Sequence, residues 1–187
     1  DPDLRITAKA GKSFIINKET KSQLLSIPSI NLVSESITET ALAYFEEKQM
    51  PVQLMGVDSV FGQLTGIENI ITDGHYEVFD GAFDRAVLGQ GLAWKLGIGV
   101  HFIHAIEVYA PKREGKVNML RPDVNFNSER CFIAGTFAVN QQKYDENLML
   151  VDIDLARRLL DYETTEVTAL QVGVAEGYSI RRAKRDI

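Results

Sequence analysis

Several groups of residues have side chains whose types invite chemistry. Gly11-Lys12-Ser13 ends like a phosphate-binding loop. Such a loop needs a further glycine five residues before Gly11 and must open a helix. Ile6 stands at that place, and Ser13 runs straight into the apolar Phe14-Ile15-Ile16. Gly89-Gln90-Gly91 begins like a dinucleotide-binding turn, but Trp94 holds the third glycine position, and the glycines lie inside a helical pattern. They suit a close approach of that helix to a neighbouring strand. His101, His104 and Glu107 are metal-ligand types. On a strand, positions 101 and 104 face opposite ways, and Phe102, Ile106 and Val108 oppose the helix on which they would converge. His75 follows a turn and reads as a surface residue. Asp73, Asp80 and Asp84 could pair as carboxylates, although loop aspartates commonly cap helices and form turns. Cys131 sits in the apolar run Cys131-Phe132-Ile133-Ala134 and reads as a buried, inert thiol. There is no Gly-x-Ser-x-Gly elbow. No catalytic, metal or cofactor site is expected.

What remains is Lys112–Arg130, a polar stretch of about nineteen residues between two apolar strands. Hairpin connections usually take about 2–5 residues, and long loops on a scaffold tend to carry recognition. Within it, Met119-Leu120-Arg121-Pro122 sets two apolar side chains beside an arginine, the composition of a protein-binding surface. A flexible hairpin tip with no partner is the plain alternative.

The elements that must position this loop are legible from periodicity. Leu4–Thr7 alternates as a strand, and Ser13–Ile16 reads as another. Asn17 can cap a helix over Lys18–Ile27, with Leu24, Leu25 and Ile27 inward, stopped by Pro28. Ser29–Glu47 reads as one long strand rather than a helix over Thr38–Phe45, turning at Gln49-Met50-Pro51 into Val52–Val57. Asp58–Gly74 reads as a loop with a short helix at Val60–Leu64 and a turn at Asp73-Gly74. Ala86–Leu96 carries Leu88, Leu92 and Leu96 on one helical stripe, ended by Gly97 and Gly99. Strands follow at Val100–Tyr109 and at Cys131–Val139, the latter kinked at Gly135. Lys143–Tyr162 packs a turn, the strand Leu148–Val151 and a helix into twenty residues. There Asp152 or Asp154 is the cap, Leu155, Leu159 and Leu160 face inward, and Arg157 and Arg158 face outward. Val167–Ala175 is the last strand, with Gln171 opposing Leu170 and Val172. The order predicts an α+β fold: a split βαβ layer from the two ends of the chain, with a smaller β-rich unit inserted between them.

Composition sets the outer bounds. A chain of 187 residues buries roughly 70 % of its unfolded surface and needs no metal or disulfide to fold. A net charge of −6 and a pI of about 5.1 argue against broad nucleic-acid binding. One cysteine makes no internal disulfide and does not reveal the compartment. No apolar run approaches the ~18–20 residues that span a bilayer. The chain opens on Asp1-Pro2-Asp3 and closes on the basic Arg181-Arg182-Ala183-Lys184-Arg185, and it reads as a fragment of a longer protein. The basic end suits a solvated helix or a segment returning to a membrane surface.

Four stretches, in this order, carry a resemblance. Val52–Asp58, VQLMGVD, resembles a strand ending in Gly-Val-Asp. Val87–Gly97 resembles a helix of the pattern LG-x-x-LA-x-x-LG. Phe132–Phe137 is similar to a strand F-x-V-x-G-I-F, and Tyr144–Leu160 to YD-x-x-LVYVPL-x-x-AQRLL. Together with a start at Asp3-Leu4-Arg5-Ile6, these resemble the periplasmic, MacB-like domain of ABC transporter permeases in the MacB/LolC/LolE/FtsX superfamily, most nearly the lipoprotein-releasing LolC/LolE branch. After Gly97-Ile98-Gly99 the sequence departs, reading Val100-His101-Phe102 where the family often has a Gly-Asp turn. The resemblance implies a porter-like α/β subdomain at residues 1–84 and 139–187, with a small inserted Sabre-like β-rich subdomain at 85–138. It implies a non-catalytic domain without a cofactor, on the periplasmic face of the inner membrane. Its partners would be the membrane helices of the parent permease, a second permease subunit, a cytoplasmic ATPase and a periplasmic lipoprotein carrier or adaptor. Met119, Leu120, Arg121 and Pro122 would lie in the partner-binding hairpin, by position. The competing readings are a MacB-like export permease binding a membrane-fusion adaptor, a periplasmic ligand-binding module, and a small hydrolase using the loop aspartates.

Overall fold

The structure, a computed structural model, describes residues 3–187. Asp1 and Pro2, which open the first expected subdomain, lie outside them. β1 (Leu4–Thr7) and β2 (Phe14–Ile15) precede α1 (Lys18–Leu25). Asn17 caps α1 as its type suggests, its side chain accepting the Thr20 N–H at 2.7 Å. The expected inner face of α1 is only partly inward: Leu24 and Ile27 pack against the core, but Leu25 is 45 % exposed.

β3 (Ile30–Phe45) and β4 (Lys48–Val57) form one long antiparallel hairpin, which removes the helical alternative over Thr38–Phe45. The turn is Glu46-Glu47, with Glu46 at φ +53°, and not Gln49-Met50-Pro51. Pro51 pairs with Leu42 inside the ladder. Two residues on, the Gln53 N–H points away from β3 to the Asn147 carbonyl, at 2.8 Å. The missing Pro51 N–H therefore falls on that same side, where no strand has yet begun.

α2 (Phe61–Thr65) leads by a single 3-10 turn into β5 (Ile71–Gly74). The expected Asp73-Gly74 turn is thus the end of a strand, and Gly74 takes φ +70° there. β6 (Arg85–Gly89) and α3 (Gln90–Leu96) divide what the leucine spacing suggests is one helix. Ala86, Val87 and Leu88 are fully buried. A strand covered on both faces loses its polar alternation and reads like a helix segment. Gly97 ends α3 at φ +72°, as expected. β7 (Ile106–Pro111) starts at Ile106 rather than Val100, so His101 and His104 lie in a loop. β8 (Phe126–Phe137) carries a register shift beside Gly135, where the kink was expected. α4 (Gln142–Asp145), β9 (Leu148–Asp152), α5 (Ile153–Leu160), β10 (Glu166–Val167), β11 (Ala169–Val174) and α6 (Ile180–Asp186) complete the chain. The fold is the expected α+β class, and no helix among the described residues is long and apolar enough to cross a membrane.

The pairing of β3, β4, β9, β6, β8 and β7 runs in that order and returns to β3, closing a circuit of six strands. Closure is possible because the two longest strands change partner partway along one edge. β3 pairs with β11 over Ile30–Ser36 and with β7 over Leu42–Tyr44. β8 pairs with β7 over Phe126–Cys131 and with β5 over Gly135–Phe137. β1 lies beyond β11 as an outer edge. Residues 85–138 supply β6, β7 and β8, so the sheet runs without a break through both expected subdomains. Within 85–138, two stretches stand clear of the ladder: 90–105, which holds α3 and the loop after it, and 112–125.

α5 packs against β3, β4, β7, β8 and β9. Leu155, Ala156 and Leu159 are fully buried. Asp152 caps it, accepting the Asp154 N–H at 2.8 Å. Gly56 on β4 admits it: a Cβ there would meet the Ala156 Cβ at 2.4 Å. Of the two arginines expected outward, only Arg158 is, with its side chain 49 % exposed. Arg157 is 12 % exposed, drawn onto Glu35 at 3.1 Å. Gln171 alternates as expected but is buried, its Nε2 donating to Ser36 Oγ.

Candidate functional site

The loop between β7 and β8 has a defined base and a defined tip. The ladder ends at Pro111 opposite Phe126, and the Lys112 N–H closes it on the Asn125 carbonyl at 2.8 Å. The connection is fourteen residues, 112–125, shorter than the sequence suggests because Phe126–Arg130 belong to β8. Asn118 and Asn125 clip its two arms together. The Asn118 N–H donates to Asn125 Oδ1 at 2.8 Å, and Asn125 Nδ2 donates back to the Asn118 carbonyl at 3.1 Å. Asn118 Oδ1 also accepts the N–H groups of Leu120 and Arg121. Pro122 opens a single 3-10 turn, where its missing N–H costs nothing.

The clip leaves the apolar residues outside. Met119 is 85 % and Leu120 95 % exposed, and Val117 is exposed nearby. Arg121 is paired at 3.3 Å with Asp123, and both side chains are largely in water. The expected four, Met119, Leu120, Arg121 and Pro122, therefore form one contiguous solvent-facing tip. Such a surface can contact a protein; it holds no group placed for catalysis.

The base is fastened by residues that the sequence does not single out. The Arg113 N–H donates to Asp161 Oδ2 at 3.0 Å, and its guanidinium donates to both Glu166 oxygens at 2.7 Å. Its Cζ lies over the Tyr162 ring, 4.6 Å from the centroid. Ser13 Oγ donates to the same carboxylate. Arg113, ahead of the smaller contributions of Ser13 and the Glu163 N–H, holds the Glu166 carboxyl down to about 2. Burial, then the Glu39 carboxylate that accepts its hydroxyl at 2.9 Å, push the Tyr162 phenol up. These groups keep one charge state at neutral pH and act as a fastening. A shallow cavity of about 300 Å³ lies beside them, lined by Lys12, Glu39, Lys112 and Tyr162.

The other candidates separate. His104 Nδ1 lies 3.3 Å from Glu46, while Glu107 takes Tyr109 and Arg130. Among the described residues, no three His, Cys, Asp or Glu side chains are placed to hold a metal. His75 is exposed beside Glu77. Asp73 accepts the Gly74 N–H. Asp80 accepts the N–H groups of Phe83 and Ala82 and pairs with Arg85, and these bonds hold it at about 2. Asp84 pairs with Arg158 at 2.8 Å, and burial pushes its carboxyl up. The three aspartates thus form turns and ion pairs. Gly11-Lys12-Ser13 leads into β2 and not into a helix, so it lacks the helix N-terminus that a phosphate loop needs, and Lys12 reaches Glu39 at 3.4 Å. A Cβ on Gly89 would strike the carbonyls of Asp145 and Tyr144 at 2.4 and 2.6 Å. The close approach expected at these glycines is real, but its partner is α4 rather than a strand. Cys131 is fully buried, and burial pushes its thiol up.

No family model matches the sequence, and no curated protein matches it. Solved structures do share the fold. The extracellular domain of the noncanonic ABC-type transporter YknZ from Gram-positive bacteria matches with a TM-score of 0.63 at 13 % identity. The match covers 93 % of this chain and 80 % of that one. The periplasmic region of MacB from Actinobacillus actinomycetemcomitans matches with a TM-score of 0.59 at 9 % identity, over 88 % of this chain and 67 % of that one. A domain of a Porphyromonas gingivalis protein described as a permease matches with a TM-score of 0.51 at 17 % identity, over 89 % and 75 %.

Proposed function

We propose that this chain is the extracytoplasmic domain of an ABC transporter permease of the MacB/LolC/LolE/FtsX superfamily, and that it works by protein contacts and not by catalysis. The observation that carries this reading is the fold it shares with the YknZ and MacB domains over 93 and 88 % of its length. Two of the resembling motifs fit it, since each of the two serves a joint of the fold. In Gly-Val-Asp, Gly56 admits α5, and Asp58 accepts Ser34 Oγ at 2.6 Å and the Glu35 N–H at 2.8 Å. In the Leu-Gly helix motif, Gly89 admits the α4 carbonyls.

The ends of the fold also suit a membrane attachment. Asp3 accepts the Val174 N–H at 2.8 Å, and Ser29 Oγ donates to Asp186 at 2.7 Å. The Ala175 N–H donates to the Ser29 carbonyl at 3.0 Å, so the start of β1, the end of β11 and the end of α6 meet at one pole. In this reading the parent permease's membrane helices join there, beside a second permease subunit and above a cytoplasmic ATPase. Residues 1–84 and 139–187 are the porter-like part and 85–138 the insert, with 112–125 as its working end. Met119, Leu120, Arg121 and Pro122 then meet a soluble lipoprotein carrier, as in the LolC/LolE branch. The MacB likeness favours a second reading, an export permease whose tip meets a membrane-fusion adaptor.

Location is the first test. In the parent protein in intact cells, Met119→Cys should react with a membrane-impermeant maleimide that is denied the cytoplasm, and an ATP-binding-cassette ATPase should co-purify. Labelling only after lysis overturns the reading.

A further inference from the structure

α6 follows a Ser179 cap whose Oγ accepts the Arg182 N–H at 3.2 Å, and it buries one residue, Ala183. With 3.6 residues per turn, Ala183 marks the inner side. Arg181 and Arg185 then point directly outward, and Arg182 and Lys184 flank them. The one acid of the helix, Asp186, turns inward to Ser29 at 2.7 Å. The outer half of α6 is thus entirely cationic. Arg182 lies over the Tyr178 ring and 4.0 Å from Asp186. Among the described residues, Arg181, Lys184 and Arg185 have no carboxylate within 4.0 Å. Cations in a last turn favour the helix dipole. That accounts for Lys184 and Arg185, but not for Arg181 on the same outward line in the first turn. Ile180 and Ile187 are each about half exposed, and at 3.6 residues per turn both fall between Ala183 and Lys184, at the edge where the helix meets the domain.

A row of cations with aliphatic residues at its side matches the headgroup layer of a bilayer, where phosphates meet the first methylenes. On a chain of net charge −6, this face is a local cluster of positive charge that an anionic surface complements. We propose that the outward face of α6, formed by Arg181, Arg182, Lys184 and Arg185, rests on the anionic lipid surface of the membrane. The inference depends on the domain being membrane-anchored at the pole that α6 shares with Asp3 and Ser29. Docking of α6 then fixes the tilt of the domain over the bilayer.

The test is sedimentation of the 187-residue chain with vesicles of phosphatidylcholine alone or mixed with phosphatidylglycerol, at low and at physiological salt. Binding should need the anionic lipid and weaken with salt. R181Q/R185Q should lower the partition coefficient about 30-fold, at roughly one headgroup contact per residue. K112Q/K116Q, at the hairpin, should leave it unchanged. No binding at low salt, equal binding to both vesicles, or an equal loss in the hairpin variant overturns the proposal. Impermeant labelling of Met119→Cys reports separately on location, so failure here is distinct from failure of the permease reading.

Discussion

The Arg113 guanidinium grips the Glu166 carboxylate with two nitrogens, each at 2.7 Å, across 53 positions of sequence. Arg113 is the second residue of the loop and Glu166 begins β10, so this pair ties the base of the hairpin to the far end of the chain. Bidentate Arg–carboxylate pairs fix orientation as well as distance. Arg113→Ala should cost about 2 kcal/mol in denaturant unfolding. It should also raise amide hydrogen exchange across 114–121 without changing the exchange of β3 or β4.

The same pair sets an acid limb. Glu166 is held near 2, well below the ~4.3 of a free glutamate. A depressed carboxyl stabilises the fold above the unfolded pKa, and its contribution is lost as pH falls through the folded one. Stability should therefore fall between about pH 4 and pH 2. In Arg113→Ala that limb should be shallower. An unchanged limb would show that other carboxylates govern the acid response.

Gly56 and Ala156 form a backbone-to-helix contact with no room for another atom, a Cβ at 56 coming within 2.4 Å of the Ala156 Cβ. Gly56→Ala should lower stability by roughly 1–3 kcal/mol through overpacking. Adding Ala156→Gly should recover part of that loss, although Ala156→Gly alone costs about 1 kcal/mol in a helix. Thermal unfolding of the four proteins measures the coupling, and strict additivity would place the steric contact elsewhere. Leu159→Ala, at a fully buried site on the same helix, should cost about 2–5 kcal/mol.

Cys131 should resist a thiol reagent in the native protein and react in step with unfolding. It is fully buried, and burial disfavours the thiolate that does the chemistry. Reaction at the rate of a free thiol in native buffer would mean that β8 opens locally.

The parts of the fold that local rules govern were legible in the sequence. Lys143–Tyr162 shows its strand, its buried leucines and a cap narrowed to Asp152 or Asp154, because alternation and capping are written in neighbouring residues; its expected turn is instead entered through the single helical turn of α4. The errors share a cause in distant contacts. Arg85–Gly89 is a central strand read as the start of a helix, since burial on both faces removes the period that tells the two apart. The Glu46-Glu47 turn lacks the Gly, Asn or Asp that usually marks a hairpin, and Pro51 drew attention to the wrong place. The hairpin tip was legible as a candidate because Met119 and Leu120 stand in polar surroundings. Its fastening was not, because nothing near Arg113 in the sequence points to Glu166, Asp161 or Tyr162.

The proposed function has the tip meet another protein outside the cytoplasmic membrane. Its most direct test replaces Leu120 with a photo-cross-linking amino acid in the parent protein and irradiates intact cells. An adduct with an extracytoplasmic protein should form and be lost on M119S/R121S while the melting temperature of the isolated chain is unchanged, since Met119 is 85 % exposed and Arg121 faces solvent. Adducts that form only with the permease itself, or that persist in the variant, would contradict it.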